Sequence, residues 1–282
     1  MIALGRTMEV IQNTTPDPAK ILETLGGSSF QKTFLNSSKV EVDAFERTLE
    51  EVREMCDSPD RVVRAEGEMR KRMLPSEAER LAEYTRNNTI QFLSQLRSVV
   101  SQLAVGSGRR TMVLISDGFL MSPGRASYAL LEGYFPDLRS TRGFERMQDA
   151  IEPIFKLAVK GNVPIYTIDS RGLYTSPSND ASRGGVKASV APQVDRALSD
   201  IATDEGLTLS EIASATGGTA FHNSNDLFAG LKRAFADGRE YYMLAYVPSN
   251  EAQDGKFRKI EVQVREKRAA VSAKRGYWAI AQ

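Results

Sequence analysis

Two short apolar runs, each ended by an aspartate, constrain the fold more than any other feature of this sequence. The run Thr111–Ile115 is almost continuously apolar and leads into Ser116–Gly118, whose central residue is Asp117. The run Val163–Ile168 leads into Asp169. Because a central parallel strand is covered on both faces, its sequence is continuously apolar and does not alternate. We therefore predict that both runs are strands of one parallel sheet.

Amphipathic helices are predicted between and after these strands. Phe144–Val159 has a helical pattern, and a second helix is predicted to begin near Thr208 and to end at Gly217-Gly218. A short strand, Thr219–Phe221, and a last helix, Leu227–Phe235, follow. Strands that alternate with helices are typical of crossover connections. We expect an α/β fold with a Rossmann-like, doubly wound and mostly parallel sheet.

A charged helical insertion is predicted between about residues 28 and 106. Its first part carries an apolar stripe with spacings of three and four residues, formed by Val42, Phe45, Leu49, Val52 and Cys56. The mixed charges of Arg64–Arg72 are typical of a solvated helical face. Ser76 and Glu79 have the spacing of a capping box, which predicts the start of a long helix there.

The C-terminal part has a different pattern. Tyr241–Val247 is predicted to be a strand, followed by a turn at Pro248–Lys256, and apolar and polar residues then alternate over Ile260–Val264. This pattern indicates an antiparallel hairpin with one solvated face, and Gly276–Trp278 is a candidate third strand. We therefore divide the chain into a main domain, residues 1–238, and a C-terminal extension, residues 239–282.

Composition excludes several functional classes. The chain has 37 Lys and Arg against 36 Asp and Glu, so its charge gives no reason to expect a nucleic acid or an anionic membrane as partner. No apolar run approaches the ~20 residues of a membrane helix, so membrane insertion is not expected. One cysteine and one histidine exclude an internal disulfide, a Cys-rich zinc site and nucleophilic mechanisms that need a Cys and His pair or two histidines.

Ligands of doubly wound sheets bind at the carboxyl ends of the strands. In this chain, Thr14 and Thr15 follow a short predicted strand at Met8–Gln12. Ser116–Gly118 follow the first apolar run, and Asp169 follows the second. Hydroxyl and carboxylate oxygens are ligands for hard cations. Asp117 and one of the two threonines, Thr15 or Thr14, are therefore candidate ligand-binding residues at this edge, and the residues alone leave that role open.

Each candidate also has an ordinary structural explanation. Asp117 before a glycine is common turn chemistry, and Thr15 lies where a helix begins, since Asp17 is a good N-cap before Pro18. We interpret Asp169 as a polar cap at the end of its strand, in preference to a residue that supports the metal ligands. Cys56 falls on the apolar stripe and is interpreted as a core thiol, and His222 as a surface or capping residue.

Several fragments, taken in order, resemble von Willebrand factor type A domains. NTTPDPAKILETL resembles the second metal-site loop of that family, and RRTMVLISDGF resembles the third. GNVPIYTID, LTLSEIASATGGTAFHNSNDL, GREYYMLAYVPSN, DGKFRKIEVQV and KRGYWA resemble the bacterial von Willebrand factor A-related subgroup found in Acidobacteria. The resemblance covers nearly the whole chain and is weakest in the helical region from Ser28 to Arg72.

This resemblance implies a metal-ion-dependent adhesion site. In the family, Mg²⁺ or a similar ion (Mn²⁺ or Ca²⁺) is held by oxygen ligands, and a carboxylate of a protein or peptide partner completes its coordination. Thr15 matches the family's threonine and Asp117 its third-motif aspartate, so the resemblance implies that these two residues are metal ligands, with Thr14 as the alternative threonine. The family's first motif, Asp-x-Ser-x-Ser, belongs upstream of Gly5 and is missing from this chain; Asp180-Ala181-Ser182 begins the pattern, but Gly184 stands in place of the second serine.

Two explanations of the missing motif lead to different functions. In the first, Met1 is internal to a longer protein whose head carries the motif and a secretion signal, so the module is extracytoplasmic and binds its partner through the cation. In the second, the metal site is degenerate, and a metal-free scaffold makes its contacts through the helical region. A Mg²⁺-dependent phosphate hydrolase is a third and less favoured hypothesis, because no phosphate-binding loop and no nucleophile with a paired base are found.

Overall fold

The structure, a computed structural model, describes residues 1–4, 8–13, 15, 17–26, 37–105, 110–138, 146–173, 191–224, 226–239, 248–249, 252–265 and 276–279. The helices are α1 (Pro18–Gly26), α2 (Ser37–Cys56), α3 (Arg61–Lys71), α4 (Leu74–Ala104), α5 (Pro123–Tyr134), α6 (Gln148–Lys160), α7 (Ala191–Thr216) and α8 (Leu227–Arg239). The strands are β1 (Ile2–Leu4), β2 (Met8–Val10), β3 (Met112–Ser116), β4 (Ile165–Asp169), β5 (Ala220–Phe221), β6 (Phe257–Lys259) and β7 (Gly276–Trp278). Within these residues, no helix is both long and apolar enough to span a membrane.

A parallel sheet of three strands, in the order β3-β4-β5, confirms that the chain mixes helices with parallel strands. Both predicted apolar runs are strands, and they are neighbours in the sheet. All five residues of β4 are buried, as its continuous apolar run predicts. In this register Ser116 of β3 lies beside Asp169 of β4, so the carboxyl ends of the two strands coincide.

The early strand does not belong to that sheet in the described part of the chain. β2 pairs with β1 in an antiparallel arrangement, with Ala3 opposite Glu9. The side chains of Met8, Glu9 and Val10 are all exposed, which suits a small solvated hairpin and not a buried central strand. The strand predicted at Met8–Gln12 is therefore shorter, and its partner is local in sequence.

The chain forms two compact units that interleave along the sequence. The first unit comprises Met1–Phe92, Phe119–Met147 and Thr175–Glu205. The second comprises Leu93–Gly118, Gln148–Tyr174 and Gly206–Gln282 and contains the parallel sheet.

The core of the first unit is built mainly on α2, the start of α4, and α5. The stripe predicted from Val42 to Val52 is buried, and Leu49 is completely so, while Cys56 at its end is half-buried. Leu74, Leu131 and Tyr134 join the same cluster. The apolar stripe on α2 is therefore confirmed as the face that packs into the core.

The capping box predicted at Ser76 and Glu79 is wrong. α4 begins earlier, at Leu74, and the backbone N–H groups of Ser76 and Glu77 donate to the carbonyl of Met73. Leu74 is 1% exposed. Burial of this side chain favours a start one residue before Pro75, which then occupies an early helical position where its missing N–H costs nothing.

The antiparallel pair near the C-terminus differs in position from the predicted hairpin. β6 pairs with β7, with Arg258 opposite Tyr277, so Gly276–Trp278 is a strand as proposed. Ile260–Val264 is not a strand, although Ile260 and Val262 are half-buried between exposed neighbours. The strand predicted at Tyr241–Val247 lies outside the described residues.

Candidate functional site

The candidate site lies where β3 and β4 end. Asp117 directly follows β3 and is half-buried. Gly118 has a φ of 95°, and its N–H donates to the Ser116 hydroxyl over 3.1 Å. A residue with a side chain is strained at such a φ, so glycine fits this tight turn. The turn fixes the backbone on both sides of the Asp117 carboxylate.

A backbone hydrogen bond brings the end of β4 alongside this turn. The N–H of Ser170 donates to the Ser116 carbonyl over 3.0 Å, which continues the parallel ladder one step beyond the strands. Asp117 and Asp169 are thus attached to neighbouring strands at the same edge of the sheet. The sequence-based prediction that these two aspartates share the carboxyl edge is confirmed.

Asp169 is held by Arg171. The Arg171 Nε lies 2.9 Å from the Asp169 Oδ1, and its Nη2 lies 2.7 Å from Oδ2, which makes a bidentate ion pair. The backbone N–H of Arg171 also donates to Oδ1 over 3.0 Å. Only 7% of the Asp169 side chain and 18% of the Arg171 side chain are exposed. These contacts confirm the interpretation of Asp169 as a polar cap.

Arg171 is the residue of this edge that sequence reasoning missed. An arginine two positions after a strand-end aspartate is the only signal for it in the sequence. Whether such a side chain turns back to the aspartate depends on the backbone path, here a turn followed by Gly172 with a φ of 72°. The Ser116 hydroxyl was likewise not singled out, although it immediately precedes Asp117.

Thr15 belongs to the N-terminal segment of the first unit. Its Oγ1 accepts a hydrogen bond from the Asp17 N–H over 3.1 Å, and Asp17 Oδ1 accepts one from Ala19 N–H over 2.9 Å. Asp17 is therefore the N-cap of α1, and Pro18 is its first residue, as predicted. Thr15 and Asp117 fall in different units, and their pairing at one metal stays a prediction. Thr14 lies outside the described residues.

The remaining candidates have ordinary surroundings. His222 is exposed directly after β5. The half-buried Cys56 has a pKa raised above its usual value, first by burial and then by the nearby charge of Glu68. His222 follows β5 at the carboxyl edge of the same sheet, since Ile168 of β4 lies beside Phe221 in parallel register. Cys56 lies on α2 in the first unit. The fragment from Asp180 to Gly184 lies outside the described residues.

The oxygen atoms at this edge match a hard cation only in part. Asp117 provides a carboxylate and Ser116 a hydroxyl, while both oxygens of Asp169 already face Arg171. Within the described part of the chain, no three or more His, Cys, Asp or Glu side chains gather as a metal cluster. Mg²⁺ usually keeps several waters and takes one or two carboxylates, whereas Ca²⁺ takes six to eight oxygen ligands. Of the two ions, the donors present fit Mg²⁺.

Comparison with known proteins identifies no relative: no family model, no curated protein and no solved structure matches the chain significantly.

Proposed function

We propose that this chain is a non-enzymatic binding module that recognises a protein or peptide carboxylate through a divalent cation at the carboxyl edge of its parallel sheet. The observation that carries the proposal is the placement of Asp117 at the end of β3, beside the end of β4. Such edges are where open α/β sheets bind their ligands. The resemblance of the surrounding fragments to von Willebrand factor type A domains supports the same function and a larger, Rossmann-like sheet.

In this proposal the cation is Mg²⁺ or Mn²⁺. Asp117 holds it through its carboxylate, and Ser116 orients the turn through its hydroxyl. Thr15 is the proposed second ligand. The cation attracts the partner's carboxylate and adds no chemistry beyond that. Arg171 neutralises Asp169, so a single aspartate of this edge faces the cation, which leaves the ion with enough positive charge to attract an acidic group.

Calorimetry with Mg²⁺ and Mn²⁺ on the whole chain tests the proposal. We expect cation binding that Asp117→Asn abolishes and Thr15→Ala weakens. Asp149→Asn is the matched control, because Asp149 is an exposed aspartate in the same unit. Two peptides that differ only in one aspartate or asparagine then report partner recognition, and the aspartate peptide alone should bind, in a chelator-sensitive way. Cation binding by a folded Asp117→Asn variant equal to that of the original chain contradicts the proposal.

A metal-free scaffold is the second candidate, and the ion pair between Asp169 and Arg171 favours it. This pair places a guanidinium at the same edge that would hold the cation. A scaffold predicts partner binding that resists chelators and the Asp117→Asn substitution. The peptide experiment therefore separates the two candidates.

A further inference from the structure

One ring of an aromatic pair directly follows the turn at Asp117. The rings of Phe92 on α4 and of Phe119, the residue after Gly118, have centres 4.8 Å apart and planes tilted by 50°. A tilted arrangement at this distance is favourable for aromatic rings. Both residues are half-buried, so the pair lies at the border of the core and not in its interior.

The segment after the turn is held on α4 at a second place. The Thr89 hydroxyl donates to the Leu120 carbonyl over 3.4 Å. Thr89 lies three residues before Phe92, so both side chains project from the same side of the helix. Leu120 and Met121 are buried. The backbone that directly follows Gly118 is therefore fixed by α4 and by the core of the first unit.

The turn itself depends on its two flanks. Gly118 has a φ of 95°, and glycine has more conformational freedom than any other residue. On the other flank, the Ser170 N–H donates to the Ser116 carbonyl over 3.0 Å, which fixes the end of β3. Asp117 lies between an anchor in the sheet and, one glycine later, the ring of Phe119. The orientation of its backbone therefore depends on where that ring is held.

The same pair stands at the base of an excursion of the chain. Phe92 is the last residue of the first unit before α4 continues into the second, and Phe119 is the first residue after the chain returns. Residues 93–118, between them, include β3 and Asp117. Because the ring contact holds the two ends of this excursion together, it restricts the path of the chain on leaving the turn.

We infer that Phe92 is a positioning residue for the candidate site, because α4 acts through Phe119 to orient the turn that carries Asp117. The role of this turn in holding a cation rests on the proposed function. Groups that orient a metal ligand without touching the ion change metal affinity by about tenfold or more. In this way α4 regulates the affinity for the cation at Asp117.

Hydrogen exchange distinguishes positioning from packing. The Gly118 N–H donates to the Ser116 hydroxyl over 3.1 Å, so its exchange rate reports the order of the turn with no cation present. The Thr167 N–H, which donates to the Thr219 carbonyl, lies in the buried strand β4 and is the reference. Lower overall stability accelerates exchange at Thr167, whereas loss of a positioning contact accelerates exchange at Gly118 alone.

NMR-detected exchange on the whole chain, with calorimetry of Mg²⁺ and Mn²⁺ binding, tests the inference. Phe92→Leu keeps an apolar side chain and removes the ring, and Phe92→Ala removes more of the side chain. In both variants we expect Gly118 to exchange about threefold faster relative to Thr167, and cation affinity to fall about tenfold. Ile90→Ala is the matched control, since Ile90 is 43% exposed on the same helix, and it should behave like the original chain.

A double-mutant cycle shows whether Phe92 acts through Phe119. Phe119→Leu should have the effect of Phe92→Leu, and the double variant should be no worse than either single one. Circular dichroism establishes that each variant is folded. The inference is overturned if Phe92→Leu leaves Gly118 exchange unchanged, if Thr167 accelerates equally, or if the two substitutions add. A lack of cation binding by the original chain contradicts the proposed function alone, because Gly118 exchange still decides whether α4 positions the turn.

Discussion

Arg171 donates hydrogen bonds to both carboxylate oxygens of Asp169, and both side chains are largely buried. An arginine and a carboxylate in this parallel arrangement form a strong, geometrically specific pair. The pair ties the loop after β4 to the last residue of the strand. It therefore fixes the edge of the sheet next to Asp117, whatever binds there.

Removal of Arg171 should be costly because it leaves Asp169 charged and buried. We expect Arg171→Met to lower the free energy of unfolding by about 3 kcal/mol. The double variant Asp169→Asn with Arg171→Met should recover much of that loss, since no uncompensated charge remains. Urea denaturation measures both. A single variant as stable as the original chain would show that the pair is not buried in solution.

Gly67→Ala should destabilise the first unit. A Cβ at this position of α3 would lie 2.7 Å from the Cys56 backbone nitrogen on α2. Overpacking of this kind costs about 1–3 kcal/mol, against a gain of about 1 kcal/mol from the higher helix propensity of alanine. Ala65→Gly on the solvent side of α3 is the matched control and should cost about 1 kcal/mol through propensity alone. If propensity were the only effect, Gly67→Ala would stabilise the chain by a similar amount. Urea midpoints of the two variants distinguish these outcomes.

Cys56 should react slowly with alkylating reagents near neutral pH. Burial, followed by the charge and hydrogen bond of Glu68, raises the pKa of its thiol, and only the thiolate is nucleophilic. Glu68→Gln should lower this pKa and accelerate modification by iodoacetamide. Glu66→Gln, an exposed change on the same helix, should leave the rate unchanged. Cys56 is the single cysteine of the chain, so the label reports it alone; equal rates in both variants contradict the assignment to Glu68.

Lys71 and Asp137 should stabilise the fold in a pH-dependent way. Their charged atoms lie 2.7 Å apart, and the hydrogen bond from Lys71 lowers the pKa of Asp137 below its usual 3.8. A lowered folded-state pKa stabilises the protein above the unfolded-state pKa, and this contribution is lost as pH falls through the folded-state value. Since Asp137 is 61% exposed, we expect a coupling of only about 0.5 kcal/mol at neutral pH.

A double-mutant cycle isolates that coupling. Lys71 also lies 5.4 Å from the centre of the Phe135 ring, so Lys71→Met alone removes two interactions. Comparison with Asp137→Asn and with the double variant subtracts the contribution of the Lys71 contact with the Phe135 ring. Coupling that persists unchanged well below pH 3.8 would contradict the assignment.

Features that depend on neighbouring residues in the sequence were predictable. The cap formed by Asp17 before Pro18 and the buried strand β4 follow from local patterns and hold in the structure. The capping box at Ser76 failed because burial of Leu74, a tertiary effect, determines where α4 begins. A local hydrogen-bonding pattern contributes about 1 kcal/mol, less than the burial of a leucine.

The candidate site was predictable only in part for the same reason. Asp117 and Asp169 share an edge because consecutive parallel strands align their carboxyl ends, a rule of topology that sequence order reveals. The guanidinium of Arg171 reaches its aspartate through a turn whose path no periodicity encodes. The close packing of α2 against Gly67 was likewise not predictable from the charged run around it, because it depends on where the backbone of α2 lies.

The interleaving of the two units has a consequence for biosynthesis. The first unit draws on residues as far apart as Met1 and Glu205, and the second begins at Leu93 but includes Trp278. No single cut therefore releases either unit intact, and truncated fragments should expose unfinished apolar surfaces. On the ribosome, the first unit is complete only after most of the chain has emerged. Helices α2 to α4 therefore cannot complete their core packing until α7 has been synthesised.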